Sequence, residues 1–123
     1  MPNKPDILVA EDDAVLRNLY EKKFLLEGFA VRIASDGEEV IRMIREKAPD
    51  LLLLDIHMPK ADGFQVLKEF PKKDRTFGVI ILTNFGQAEF KLRALELGAD
   101  DYFVKKDMTM RTLLEMVKRL LKV

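Results

Sequence analysis

The chain has 123 residues, 48% hydrophobic and 34% charged, which suits one soluble globular domain with its own core. Lysine plus arginine equals aspartate plus glutamate at 21 each, so the charge balance favours neither nucleic acid nor an anionic membrane as a partner. The absence of cysteine excludes a disulfide framework, thiol catalysis and a cysteine-based zinc site.

Short apolar runs alternate with amphipathic stretches along the chain. Asp6–Ala10 predicts a first strand. Asp12 or Asp13 can cap a helix running to Glu27, where Gly28 offers a left-handed stop. Leu16, Leu19, Tyr20 and Phe24 have the spacing of one buried helical face, and Val15, Leu19 and Leu26 form a second apolar stripe beside it. Phe29–Ala34 predicts a second strand. Ser35-Asp36-Gly37 turns into a helix reaching about Lys47, with Val40, Ile41 and Ile44 inward. Pro49-Asp50 launches Leu51–Asp55, the most apolar run and hence the expected central strand, covered on both faces. His57–Gly63 reads as a long turn, and Phe64–Phe70 as a short helix closed before Pro71. Gly78–Thr83 predicts a fourth strand, Gln87–Leu97 a helix ended by Gly98, and Asp101–Lys105 a fifth strand. Thr109 can cap a last helix with Leu113, Leu114, Val117, Leu120 and Leu121 on its inner side. This alternation predicts right-handed crossovers and a three-layer α/β fold. No repeat or linker interrupts it, and no apolar run is long enough to span a bilayer. Met1–Asp6 lacks the apolar core of a signal peptide, so cytoplasmic placement is expected.

Charged residues stand at the carboxyl ends of three runs: Glu11-Asp12-Asp13, Asp55 and Lys105. In open α/β sheets that edge is where ligands bind. Mg2+ takes hard oxygen ligands, usually one or two carboxylates with waters and a phosphate. Asp12 and Asp55 supply them if their strands are neighbours, with Glu11 or Asp13 holding a metal-bound water. The acidic triplet also reads as a plain helix N-terminus, where acidic side chains favour the dipole. Asp55 resists so simple a reading, because it follows four leucines and a buried carboxylate needs partners. Lys105 can contact phosphoryl oxygens as a point charge, or merely pair with Asp55 to neutralise the edge. Thr83 offers a hydroxyl at the end of the fourth strand.

Four stretches together resemble a response-regulator receiver domain of two-component signalling, within the CheY-like superfamily. They are Asp6-Ile-Leu-Val-Ala-Glu11-Asp12-Asp13, Pro49-Asp-Leu-Leu-Leu-Leu-Asp55-Ile-His-Met-Pro59 with Asp62-Gly63, Ile-Ile-Leu-Thr83, and Gly98-Ala-Asp-Asp-Tyr102-Phe-Val-Lys105. The likeness covers essentially the whole chain in the family order. It implies a doubly wound, five-stranded parallel sheet of order 2-1-3-4-5 with five helices on both faces, the flavodoxin-like arrangement. It further implies that Asp55 is the phosphoacceptor, charged by a phosphohistidine on a sensor histidine kinase or a histidine phosphotransfer protein. Glu11 and Asp12 would be the acidic pair, Asp12 ligating Mg2+ (or Mn2+) together with Asp55 and the backbone carbonyl of His57. Thr83 and Lys105 would bind phosphoryl oxygens, and Tyr102 would change rotamer on phosphorylation. The start of the first helix and the loop after the fifth strand would dock the phosphodonor, which makes Val15, Leu19 and Lys106 contact candidates. The face of the fourth helix, fifth strand and fifth helix would switch for partner binding or phosphorelay, with Phe90 and Met110 exposed there. The resemblance to single-domain receivers implies one receiver over residues 1–123 with no output domain, and a switch rather than an enzyme. Such a receiver would be a monomer or phosphorylation-dependent homodimer with an unknown protein target, and without direct nucleic-acid or membrane contact.

One position departs from the pattern. Lys106 follows the strand-five lysine where the family usually has proline. A cis bond before a non-proline residue costs about 3–4 kcal/mol, so a trans link and a rearranged, more mobile loop over Lys105–Met108 are expected. The His57 side chain either borders the path of the attacking water or is an exposed loop residue whose carbonyl alone matters. Val15, Leu19 and Leu26 either meet a partner or widen the core-facing stripe. Three competing functions remain. A degenerate receiver would act only in assembly. An aspartate-nucleophile phosphatase would carry a DxD motif after the first strand and a cap insertion. An FMN binder would need a Ser/Thr/Gly phosphate loop where Glu11-Asp12-Asp13 would repel phosphate.

Overall fold

The computed structural model describes residues 4–84 and 88–123, so the Gln87 start expected for the fourth helix lies outside the described residues. Strands β1 (Asp6–Ala10), β2 (Ala30–Ala34), β3 (Leu51–Asp55), β4 (Gly78–Thr83) and β5 (Asp101–Val104) form one parallel sheet, ordered β2-β1-β3-β4-β5. Helices α1 (Ala14–Leu26), α2 (Gly37–Glu46), α3 (Gly63–Glu69), α4 (Ala88–Glu96) and α5 (Met110–Leu121) cover both faces. This is the doubly wound order expected, with the leucine-rich β3 at its centre. Side chains alternate across each strand. Ile7, Val9, Leu51, Leu53, Ile80, Leu82 and Phe103 pack under α1 and α5, with Tyr20, Phe24, Leu113 and Val117. Leu8, Ala10, Leu52, Leu54, Val79, Ile81 and Tyr102 pack on the other face, against Val40, Ile44, Phe64, Leu67 and Ala94 of α2, α3 and α4. Each fully buried Leu or Ile contributes roughly 1.5–3 kcal/mol of transfer free energy.

The helix ends follow local chemistry. Asp13 caps α1 by accepting from Val15 N and Leu16 N, and Asp36 caps α2 by accepting from Glu39 N. Asp62 and Gln65 form a reciprocal capping box on α3, and Thr109 accepts from Thr112 N at the start of α5. Gly28 follows α1 at φ 92°, a left-handed conformation that only glycine adopts without strain.

Several expectations need correction. Leu19, expected on the buried face of α1, is 45% exposed, and Val15 and Leu26 are 78% and 81% exposed. The second stripe of α1 therefore faces solvent rather than widening the core. Phe90 and Met110 are half-buried against the two cores instead of exposed, while Leu92 and Leu95 are the large apolar side chains that α4 presents to solvent. β5 ends at Val104, so Lys105 is the first residue of a turn. Within that turn Asp107 N and Met108 N both donate to the Val104 carbonyl, and the Lys105–Lys106 link is trans as expected. A 3-10 turn, Lys72–Asp74, lies between α3 and β4.

The rim of the sheet at the strands' amino ends carries its own paired charges. Arg32 Nη2 meets Asp6 Oδ2 at 2.7 Å, while Arg32 also donates to the Met43 and Lys47 carbonyls. Arg75, with only 2% of its side chain exposed, donates to the Phe70, Phe77 and Gly98 carbonyls and to Asp100 Oδ2. Asp100 also accepts from Val79 N and pairs with Lys72.

Candidate functional site

Register brings the charged residues to one rim. Ala10 pairs with Leu54, Asp55 with Leu82, and Thr83 with Val104. Residues at or just beyond these positions must emerge together. Short backbone bonds extend the ladder past the strands: Glu11 N donates to the Ala34 carbonyl, Ile56 N to Leu82, and Lys105 N to Thr83 at 2.7 Å. Alternation then sets direction. Glu11, Asp55 and Lys105 continue the row of Val9, Leu53 and Phe103 on the α1–α5 face. Thr83 continues the row of Val79 and Ile81 on the other face, where Tyr102 also lies.

The predicted site residues meet accordingly. Lys105 Nζ stands 2.5 Å from Glu11 Oε1 and 3.0 Å from Asp55 Oδ2. His57 N donates to Asp55 Oδ1 at 3.2 Å, so both oxygens of Asp55 are held. Glu11, Asp12 and Asp55 each offer a carboxylate oxygen within 4.8 Å of the others. Thr83 is wholly buried, and Tyr102 is buried beside it with a hydrogen bond between the two side chains. The His57 side chain is exposed, its ring edge-on to Phe90 at 6.1 Å. Val15, Leu19 and Lys106 are exposed too, but no described contact draws them into this cluster. Asp13 is occupied as the α1 cap.

Behind the acceptor, Gly63 closes the loop onto β3. Its N–H donates to the Ile56 carbonyl at 2.8 Å, and a Cβ placed there would fall 2.7 Å from the Asp55 carbonyl oxygen. No side chain fits at that position.

The electrostatics are unbalanced. Three carboxylates face one ammonium. Burial pushes the Glu11 carboxyl up to about 7, the adjoining Asp55 carboxyl adds to the rise, and Lys105 opposes it. Burial works to lower the Lys105 pKa, but Glu11 and Asp55 outweigh it and hold the ammonium above its ordinary value. Burial likewise raises the Tyr102 phenol, against the opposing bond from Thr83.

A hard divalent cation fits this donor set. Every side-chain donor is a carboxylate oxygen, which Mg2+ prefers over nitrogen or sulfur. Glu11 Oε1 is fully buried with the Lys105 ammonium at 2.5 Å as its counter-charge, yet that one ammonium serves a pocket of three carboxylates. Carboxylate charge left unmatched in a buried pocket is costly in the absence of a further cation. The cluster is thus an acidic pocket of the kind that holds a divalent metal.

Sequence reasoning missed two residues of α1 at this rim. Arg17 Nη1 donates to the Glu11 carbonyl at 3.0 Å and to the Asp12 carbonyl at 3.4 Å. Tyr20 is buried on the same sheet face. Burial pushes its phenol up to about 12, and the fields of Lys105, Glu11 and Asp55 reach it. The proximity of Glu11-Asp12 to a helical arginine one turn on was the only available signal.

Known proteins share this fold. The family model for the response regulator receiver domain matches residues 7–118. A probable transcriptional regulator, ycf27, of Guillardia theta is 40% identical over 105 residues, covering 85% of this chain and 41% of that protein. The alkaline phosphatase synthesis transcriptional regulatory protein PhoP of Bacillus subtilis is 37% identical over 80% of this chain and 41% of its own length. The chain therefore spans about two fifths of these curated relatives. The receiver domain of the Francisella response regulator 1452 superposes with a TM-score of 0.90 at 33% identity, covering 97% of this chain and 98% of that one. A CheY-like receiver domain protein of Methanospirillum hungatei gives 0.90 at 28% identity over 98% and 95% of the two chains. Sheet order, the acidic pocket and a family match over nearly the full length converge, and the chain belongs to the response regulator receiver domain family, a signalling domain rather than a classical enzyme.

Proposed function

We propose that this receiver accepts a phosphoryl group at Asp55 from a phosphohistidine on a sensor histidine kinase or histidine phosphotransfer protein. One observation carries the reading: a carboxylate on the central strand, held by Lys105 at 3.0 Å and by the His57 amide at 3.2 Å, adjoins two further carboxylates. Asp55 is the nucleophile. One of its carboxylate oxygens bonds to phosphorus as the bond from phosphorus to the imidazole nitrogen breaks, leaving the histidine to pick up a proton. An ionised carboxylate needs no general base. Asp12, Asp55 and the His57 carbonyl would hold Mg2+ (or Mn2+), with Glu11 behind them, and a bound cation would supply charge neutralisation for the transferring phosphoryl oxygens.

Lys105 lies where it can follow the charge from the carboxylate to the phosphoryl group, and the Thr83 hydroxyl supplies a second donor. The aspartyl phosphate adds roughly one to two negative charges. As Thr83 turns toward it, Tyr102 loses its hydrogen-bond partner and shifts into the vacated space, so the face of α4, β5 and α5 changes. Couplings of about 1–3 kcal/mol suffice for such a switch. Val15, Leu19 and Lys106, all exposed, are the contacts for the phosphodonor. A cytoplasmic setting follows from a kinase partner, and no helix among the described residues is long and apolar enough to cross a membrane.

Incubation with Mg2+ and acetyl phosphate tests the reading by intact mass. The expected result is one metal-dependent phosphoryl adduct on the wild type and none on Asp55→Ala. A wild type without adduct would leave a phosphorylation-independent assembly module, and steady turnover of varied phosphate esters would leave a phosphatase.

A further inference from the structure

Arg17 sits in the first turn of α1, where long helical side chains point back toward the helix start. Its Nη1 donates at 3.0 Å to the Glu11 carbonyl and at 3.4 Å to that of Asp12. Within the described residues the loop's other ties leave Asp12 itself untouched: Glu11 N to Ala34 O, Asp13 N to Glu11 Oε2, Arg17 N to Asp13 O, and Asp13 Oδ1 to the α1 amides. Asp12 is the exposed member of the three carboxylates. Among the described residues its side chain accepts no hydrogen bond, and Arg17 is the side chain that holds its backbone. We infer that Arg17 is a positioning residue for the metal pocket, fixing the Glu11–Asp12 backbone so that the Asp12 carboxylate is aimed before a cation arrives. The inference rests on the metal-binding reading above and deepens it.

Charge and position predict opposite signs here, which makes the inference testable. A guanidinium beside a cation site repels the cation, so through its charge alone Arg17 weakens Mg2+ binding. As a positioning group it strengthens binding, because an ordered ligand loses less freedom on coordination. Removing groups that orient metal ligands typically lowers affinity about 10–100-fold. Arg17→Gln removes the charge and the reach. Arg17→Lys keeps the charge but replaces the planar donor group with a shorter point charge.

The experiment is an Mg2+ titration of the full chain, followed by the amide NMR shifts of residues 11–13 and 55–57. It is paired with adduct formation from acetyl phosphate as a function of Mg2+, and with thermal unfolding in EDTA. Positioning predicts about 10-fold weaker Mg2+ for Arg17→Gln and a comparable loss for Arg17→Lys. The Mg2+ needed for half-maximal phosphorylation rises in step while the rate at saturating Mg2+ is kept, and metal-free unfolding barely moves. Tighter Mg2+ in Arg17→Gln with wild-type affinity in Arg17→Lys would show a charge effect only and overturn the inference, as would unchanged affinity in both. If Arg17→Gln fails to fold, Arg17→Lys decides alone, because only positioning predicts weaker binding for it. A wild type that binds no Mg2+ would instead sink the function reading itself.

Discussion

The two rims of the sheet handle buried charge in opposite ways. At the amino ends of the strands Asp6 is matched by Arg32, and Asp100 by Arg75, Lys72 and the Val79 amide. At the carboxyl ends, carboxylate oxygens of Glu11, Asp12 and Asp55 lie within 4.8 Å of one another, and the Lys105 ammonium pairs with Glu11 and Asp55 but not, among the described residues, with Asp12. Both rims are polar and partly buried, so burial alone does not separate a structural network from a functional pocket. What separates them is saturation. A network whose donors and acceptors balance has no remaining chemistry to offer, whereas a surplus of one sign is stabilised only by something that comes and goes.

Breaking the saturated rim has the largest expected effect on stability. Asp100→Ala leaves the almost fully buried Arg75 without its carboxylate and the Val79 amide without its acceptor. The expected loss is about 3 kcal/mol, read as a lower urea midpoint with an unchanged slope. Acceptance of phosphate at Asp55 should survive under conditions where the variant stays folded. A loss under 1 kcal/mol would mean that the rim is ornamental.

Relieving the unsaturated rim should do the reverse. Asp55→Asn removes one of the crowded carboxylates while Lys105 keeps Glu11 as a partner at 2.5 Å. In EDTA the variant is expected to be more stable than wild type, by on the order of 1 kcal/mol. Mg2+ should raise the wild-type melting temperature in proportion to binding and raise that of Asp55→Asn much less. A metal-free Asp55→Asn less stable than wild type would show that Asp55 is there for the ion pair with Lys105, and the contrast between the rims would fail.

The sequence carried the fold well because strands and helices differ in period. Leu51–Leu54 reads as a central strand on its own, and Asp13, Asp36 and Thr109 announce the helices they cap. The candidate site was legible for a related reason: charges placed directly after apolar runs have to emerge at a rim. Periodicity could not say which of two adjoining apolar stripes on α1 faced the core. Leu16, Tyr20 and Phe24 pack inward while Val15, Leu19 and Leu26 do not, because the inward row is chosen by the neighbouring strands. Arg17 looked like any surface arginine, since the carbonyls it holds carry no signature in the side-chain sequence. Arg75 was equally silent: its acceptors are backbone carbonyls of Phe70 and Phe77 beside it and of the distant Gly98, which carry no side-chain signature. Lys106 stands where the family usually has proline, yet the turn is bonded to Val104 and the Lys105 ammonium reaches both Glu11 and Asp55.

The smallest effect sharpens the comparison through pH. Burial alone would raise the Asp100 carboxyl, but the Val79 amide, Lys72 and Arg75 together outweigh it and hold the group below its ordinary value of 3.8. A carboxyl with a depressed folded pKa binds protons more readily when the chain is unfolded. The stability it contributes is present in full above the unfolded value and is lost as pH falls through the lower folded one. Unfolding free energies measured by urea from about pH 5 down to about pH 2 should fall for the wild type. Asp100→Asn, which can keep part of the hydrogen bonding but cannot ionise, should start lower and show a shallower decline over the same window. An equal slope in the two proteins would assign the acid sensitivity to other carboxylates, and would mean that the matched rim draws its strength from packing and neutral hydrogen bonds rather than from charge.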